Sequence, residues 1–284
     1  MFSRSSPIQL IIVGVLLLAG CSSGTGDSAE SGSGPAELGH VHGLGTDPAD
    51  GTLYAASHFG VFRLGEDGSA ERVADRWQDT MAFTVVGPNR FLGSGHPDLE
   101  EDLPVHLGLI ESTDAAESWS ALSLQGEADF HALEAIPGQI VGYDSLTGQL
   151  LASPDGKNWR PVAKAALVDL AMDPSNSTKL LATTPQGAIV EYSTDGADSR
   201  PVEGTPPLVF LDWPEAGLLA GLAPDGGVYI SADAAQTWRR VEGPPGDPQA
   251  LDVADGSWHV ATSQGIFGST DDGRTWEDLG AAAE

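Results

Sequence analysis

The chain has 284 residues, with 13 Lys plus Arg against 41 Asp plus Glu, and a formal net charge of −28. Such a surface excludes nucleic acid as a partner, because phosphate contacts need basic patches, and it repels anionic lipid headgroups. A single cysteine excludes an internal disulfide and any thiolate metal site in the folded part.

Taken in chain order, residues 1–20 read as a secretion signal: one Arg in "MFSRSSP", then the short apolar run "IQLIIVGVLLLAG" ending in small residues. The stretch "LLAGC", Leu17 to Cys21, resembles the lipobox of bacterial lipoproteins. That resemblance implies a lipid on Cys21, which then starts the mature chain. Residues 22–38 are Gly, Ser and acidic residues without large apolar groups, which predicts a flexible linker. The expected organisation is a lipoprotein signal peptide over 1–20, a lipidated Cys and linker over 21–38, and one large all-β domain over 39–284. The expected place is outside the cytoplasm, held to the cell membrane by the lipid, as a monomer.

The folded part opens on "HVHGLG", residues 40–45, which sets His40 and His42 on alternate positions of an extended chain. Repeats then appear. "STDAAESW" (112–119), "SPDGKNW" (153–159), "STDGADS" (193–199), "SADAAQTW" (231–238) and "STDDGRTW" (269–276) start at serines 41, 40, 38 and 38 residues apart. Each resembles the Asp-box, S-x-D-x-G-x-x-W, of sialidases, sortilin-type receptors and related propellers. Physically it is a hairpin turn: Ser and Asp side chains bond nearby amides, Gly tolerates positive φ, and Trp covers the hairpin. Between the turns, apolar strands and Gly- or Pro-bearing turns recur, about four short strands per unit. The expected fold is all-β, a β-propeller of six four-stranded blades, with seven possible if the termini share a blade. The first repeat carries a degraded box, "GEDGSAERV". These turns specify architecture and not chemistry.

The innermost strands align on Leu44, Phe83, Leu133, Leu170, Leu211 and Leu251. Two residues earlier stand His42, Met81, His131, Val168, Val209 and Gln249; four earlier stand His40, Asp79, Asp129, Ala166, Pro207 and Asp247. The loop after each second strand carries His58, His96 and Asp144 in the first three repeats, and Thr184–Pro185, Ala223–Pro224 and Ser263–Gln264 at the same register in the last three. Because strands alternate direction, both registers lie at one end of the propeller. His40, His42, His58, His96 and His131, with Met81, Asp79, Asp129 and Asp144, therefore form a candidate site at aligned positions of separate repeats. The second repeat also carries an insertion, "HPDLEEDLPVH" (96–106), whose His106 belongs to the site's rim or to the loop alone. His259, inside "SWHVATS", is expected to be buried or at a blade interface.

Three chemistries suit such a site. The first is a transition metal held by His40, His42, His58, Met81, His96, Asp129 and His131. Imidazoles suit zinc, copper, nickel or iron, and a thioether shifts the preference toward copper; copper or zinc is the expected ion, with a small ligand in place of a metal as the alternative occupant. The second is glycoside hydrolysis of a glycan, with Asp79, Asp98, Asp129 and Asp144 as candidate acid, base or nucleophile, and Glu100, Glu101 and Asp102 nearby. A sialidase proper is not expected, because the chain has no "FRIP"-like motif and the aligned inner-strand positions hold no arginine to bind a substrate carboxylate. The third is a non-catalytic binding or assembly module.

"HVHGLG", "LYAASHFGVFR", "FLGSGHPD", "LPVHLGLIESTD", "DFHALE" and "GYDSLTGQLLASPDG" together resemble one bacterial family. Its members are exported, often lipid-anchored Asp-box repeat proteins usually labelled glycosyl hydrolase. The resemblance spans about 40–160 and continues beyond by repeat pattern. It implies a propeller and motif histidines at His40, His42, His58, His96 and His131; the label derives from the propeller and establishes no activity. The departure lies in the boxes, where Ala replaces Gly in "STDAAESW" and "SADAAQTW".

Overall fold

The computed structural model describes residues 38–196 and 198–280. The expected signal at 1–20, Cys21 and linker residues 22–37 lie outside the described residues.

Among the described residues, twenty-four short strands form six antiparallel sheets of four, each sheet a meander of consecutive strands. Blade 1 holds β1 (Val41–Thr46), β2 (Leu53–Ser57), β3 (Gly60–Leu64) and β4 (Ala70–Arg72). Blade 2 holds β5 (Asp79–Gly87), β6 (Arg90–His96), β7 (Leu109–Ser112) and β8 (Ser120–Ser123). Blade 3 holds β9 (Phe130–Ile136), β10 (Gln139–Asp144), β11 (Gln149–Ser153) and β12 (Arg160–Lys164). Blade 4 holds β13 (Leu170–Met172), β14 (Lys179–Thr183), β15 (Ile189–Ser193) and β16 (Ser199–Pro201). Blade 5 holds β17 (Phe210–Glu215), β18 (Leu218–Leu222), β19 (Val228–Ser231) and β20 (Arg239–Val241). Blade 6 holds β21 (Pro248–Ala254), β22 (Ser257–Thr262), β23 (Gly265–Ser269) and β24 (Glu277–Asp278).

The first strands of successive blades touch in ring order, and β21 touches β1, so the ring closes at six. The core is divided in the same way. Six apolar clusters each take side chains from two neighbouring blades; the one at the closure joins Val41, Leu44, Ala55 and Phe62 to Ala250, Ala261 and Ile266. Full burial of a side chain such as Phe62 stabilises by roughly 1.5–3 kcal/mol. Among the described residues no strand is shared across the closure, and contacts of side chains seal it. Val41 donates its N–H to Gln249 Oε1 at 3.0 Å, Thr46 Oγ1 donates to Asp252 Oδ2 at 2.7 Å, and His259 Nδ1 meets the same oxygen at 3.0 Å. His259 thus sits at the interface of blades 6 and 1.

The serine–aspartate turns form between the third and fourth strands of blades 2 to 6. In the last, the amides of Arg274 and Thr275 and the Thr275 hydroxyl all donate to Asp271, and Ser269 Oγ accepts the Gly273 amide. Those bonds hold the Asp271 carboxyl down at about 2. Where Ala replaces Gly, Ala116 and Ala235 still take φ of 71° and 73°, so the turn persists at a steric cost. In blade 1 the degraded box keeps one element of it, an Asp67 carboxylate accepting from Ser69. These turns lie at the end of the ring opposite to the loops that join second and third strands.

Candidate metal centre

The site-bearing ends of the inner strands are not regular. The pairing register slips at four of the six positions two residues before the shared apolar residue: His42 in β1, Met81 in β5, His131 in β9 and Gln249 in β21. Each is a β-bulge, which leaves one residue unpaired and re-aims its side chain. The bulge at Met81 needs a glycine opposite it: a Cβ on Gly95, at φ +141°, would lie 2.0 Å from the Asp79 carbonyl oxygen.

Two groups of ligating side chains result. In the first, His42 comes from β1, His58 from the β2–β3 turn and Asp79 from the start of β5. His58 Nδ1 stands 2.9 Å from Asp79 Oδ1 and 3.2 Å from His42 Nε2, and His42 Nε2 is 4.0 Å from the carboxylate. The His40 ring lies 4.9 Å from that of His42. His58 Nδ1 carries at most one proton, yet it faces both a carboxylate oxygen and an imidazole nitrogen. A proton given to Asp79 cannot also serve His42. A cation between the three atoms satisfies all of them at once.

In the second group, His96 ends β6, His106 lies in the long β6–β7 connection, and Asp129 immediately precedes β9. Asp129 Oδ2 is 4.0 Å from His96 Nε2, 3.8 Å from His106 Nδ1 and 3.0 Å from His131 Nε2, and it accepts the Ser145 hydroxyl at 3.1 Å. Asp129 is buried, and among the described residues its Oδ1 has no partner; nor has the buried Nδ1 of His106. Unpaired buried donors and acceptors are costly, and the unpaired His106 Nδ1 stands 3.8 Å from Asp129 Oδ2, where a cation could meet both. His96 is oriented from behind, its Nδ1 meeting the Val105 carbonyl at 2.9 Å. That bond turns Nε2 toward Asp129, the arrangement expected of a ligating imidazole.

The electrostatics suit a cation. Burial, then the charges of His58, His40 and His131, hold His42 down at about 3, and burial with His58 lowers His40. Both rings therefore present free lone pairs at neutral pH. For Asp129, burial pushes the carboxyl up, but the His131 hydrogen bond and the charges of His131 and His96 outweigh it, with Ser145 adding to them, and hold it below the usual range.

The structure thus brings His40, His42, His58 and Asp79 together, and separately His96, Asp129 and His131. Met81 occupies the bulge of β5 and is half-buried. Asp98 and Asp144 are engaged in local structure. Asp98 accepts the amides of Trp77 and Glu100, and Asp144, buried, accepts those of Asp129 and Leu146 and the Thr147 hydroxyl. His106, which the sequence leaves between rim and loop, is a member of the second group. It has no counterpart in the other repeats, so register alignment could not place it.

A second feature was not read from the sequence. A central cavity of about 330 Å³, with His42 and His131 in its wall, is lined deeper by Glu134, Asp169, Asp212 and Asp252. Three of them follow the shared apolar residues Leu133, Leu211 and Leu251 directly, so the same alignment contains them. Asp169 Oδ2 accepts the Leu211 amide at 2.8 Å and Asp212 Oδ2 the Val253 amide at 2.6 Å, each bond crossing to the next blade. Burial pushes Asp169 up to about 7; burial with Asp212 and Asp169 raises Glu134, and burial with Asp252 raises Asp212. Lacing the ring accounts for Asp169, Asp212 and Asp252.

No protein-family model matches the chain, and no curated protein matches it. Among solved structures, it superposes on a gluconolactonase from Xanthomonas campestris with a TM-score of 0.63 at 16% identity, covering 80% of this chain and 84% of that one. A chain of a nidogen/laminin complex gives 0.62 at 13% identity, over 80% and 92%. Virginiamycin B lyase from Staphylococcus aureus gives 0.56 at 12% identity, over 86% and 85%. At these identities the likeness shows the β-propeller fold and nothing of the site.

Proposed function

We propose that this protein is a metal-binding propeller that works outside the cytoplasm on a lipid tether. The observation that carries the metal reading is the pair of His/His/Asp groups, each with its three donor atoms within 4.8 Å of one another. Metal–nitrogen and metal–oxygen bonds of ~2.0–2.2 Å around a tetrahedral ion place ligand atoms roughly 3.4 Å apart. The first group spans 2.9–4.0 Å and brackets that value; the second, at 3.8 and 4.0 Å to Asp129, must close by about half an ångström. Two imidazoles and a carboxylate suit zinc, copper(II) or iron(II), and three protein ligands leave positions open for a small ligand. The tether rests on the sequence at Cys21 alone.

Glycoside hydrolysis is the weaker reading. Asp98 spends its oxygens on backbone amides, Asp144 spends its own on two amides and the Thr147 hydroxyl, and Asp129 is held low, where a general acid needs a raised carboxyl. Elemental analysis of the protein purified from metal-replete cells tests the main reading. Two equivalents of a transition metal are expected; no retained metal, and none taken up at 100-fold excess, overturns it. Fractionation of a Cys21→Ser variant tests the tether separately: release from the membrane fraction is expected, and an unchanged distribution removes the lipid.

A further inference from the structure

Among the described residues, six large hydrophobic side chains stand exposed, from 38% for Phe59 to 102% for Leu99: Phe59, Trp77, Leu99, Leu103, Val105 and Leu146. One exposed apolar side chain is ordinary on any protein. Here all six lie on connections that carry, lead into or bond a member of the two His/His/Asp groups. Phe59 follows His58 in the β2–β3 turn, and its ring lies 6.0 Å from that of Trp77. The Trp77 amide donates to Asp98, in the connection that carries Leu99, Leu103 and Val105 from His96 to His106. Leu146 follows Ser145, whose hydroxyl donates to Asp129. Blades 4 to 6 contribute none.

The collar is held in place. Arg76 pairs with Glu101 at 2.9 Å, the Leu107 amide donates to Gly95 and the Gly126 amide to His106, so the long connection is pinned at both ends and in the middle. A surface fixed in advance loses little entropy when it is covered.

Its charge selects the cover. Glu100, Asp102 and Glu127 are exposed on the same loops without a basic partner among the described residues. The nearby cations are spent: Arg72 bonds the Phe59 carbonyl and stacks over Trp77 at 3.4 Å, and Arg76 holds Glu101 and Gln78. With −28 on the whole chain, a second copy or an anionic bilayer is repelled. We infer that this half-collar docks a protein segment in which basic side chains alternate with apolar ones. The apolar side chains would cover Trp77, Leu99 and Val105, and the basic ones would meet Glu100 and Asp102. The inference does not depend on metal at either group.

The test is selection of a random 12-residue peptide display library on the full-length protein, counter-selected on Leu99→Ser/Val105→Ser. Both substitutions are at the surface, and an unchanged melting temperature checks the fold. Recovered peptides are expected to combine Lys or Arg with Leu, Phe or Trp. Synthesised, they should bind Leu99→Ser/Val105→Ser and Glu100→Lys/Asp102→Lys at least about tenfold more weakly than the unmodified protein. Absence of enrichment, recovered peptides without net positive charge, or affinities unmoved by both variants overturns the inference. So does flotation with 3:1 phosphatidylcholine:phosphatidylglycerol vesicles that is lost in Leu99→Ser/Val105→Ser, since the bilayer is then the occupant.

Discussion

Asp79 and His96 are register partners across the antiparallel pair β5–β6. One strand pair therefore carries a ligand of each His/His/Asp group, and directly opposed residues in such a ladder sit about 4.5–5.5 Å apart at Cα. Two divalent ions bound so near one another repel. Calorimetric titration of the metal-stripped protein with zinc is expected to show two resolved steps, the second at least about tenfold weaker. Asp129→Asn should remove one step and leave the other. A single two-equivalent step, or loss of both steps in Asp129→Asn, contradicts two separate centres.

His106 gives a sharper check on the second group, because it comes from the long connection and not from a strand. His106→Ala should lower affinity at one centre by about 100-fold, comparable to the upper range for loss of a supporting partner or more. His259→Ala, at the far interface of blades 6 and 1, should leave metal content unchanged. Metal analysis of the two variants distinguishes them.

The central carboxyls make stability depend on pH. Asp169 is raised from 3.8 to about 7 by burial, so the folded chain holds its proton more tightly than the unfolded chain. That stabilisation is complete below about pH 4 and is lost as pH rises through about 7. Glu134 and Asp212, which face Asp169 from β9 and β17, are raised as well and act in the same sense. The melting temperature should fall between pH 5 and pH 8 by about 5 °C, equivalent to on the order of 2 kcal/mol. Asp169→Asn should flatten that slope; an unchanged slope in the variant assigns it elsewhere.

Ring closure without a shared strand concentrates stability on a few bonds. Asp252→Ala removes the acceptor for both Thr46 and His259 at the seam of blades 6 and 1. A loss of about 2–3 kcal/mol in urea unfolding is expected, as for breaking a partly buried polar network. A loss under about 0.5 kcal/mol would show that the apolar cluster of Val41, Phe62 and Ile266 closes the ring unaided.

The serine–aspartate turns should be separable from the metal face. Asp271→Ala removes the acceptor of two amides and a hydroxyl in the last turn. The melting temperature should fall, with metal content intact. Altered metal content in this variant would couple the two ends of the blade.

The sequence by itself determined the architecture, because its evidence is periodic. Serines spaced 38–41 residues apart announce a repeated turn, and four strands per repeat admit little but a propeller blade. The same periodicity aligned His42, Met81 and His131 at one register, and that register is where β1, β5 and β9 bulge. What alignment could not show is direction. Strict alternation predicts that His40 and His42 share a face through the pleat, whereas the bulge at His42 decides where its ring points. Tertiary structure alone also split the histidines into two groups, since Asp79 and His96 meet their partners across blade boundaries that no repeat length encodes. Asp144, aligned with His58 and His96, turned inward to cap the Asp129 amide instead. His106 joined because an insertion unique to one blade folded back over it. Repeats fix where a residue lies along its blade; only packing between blades fixes what its side chain meets.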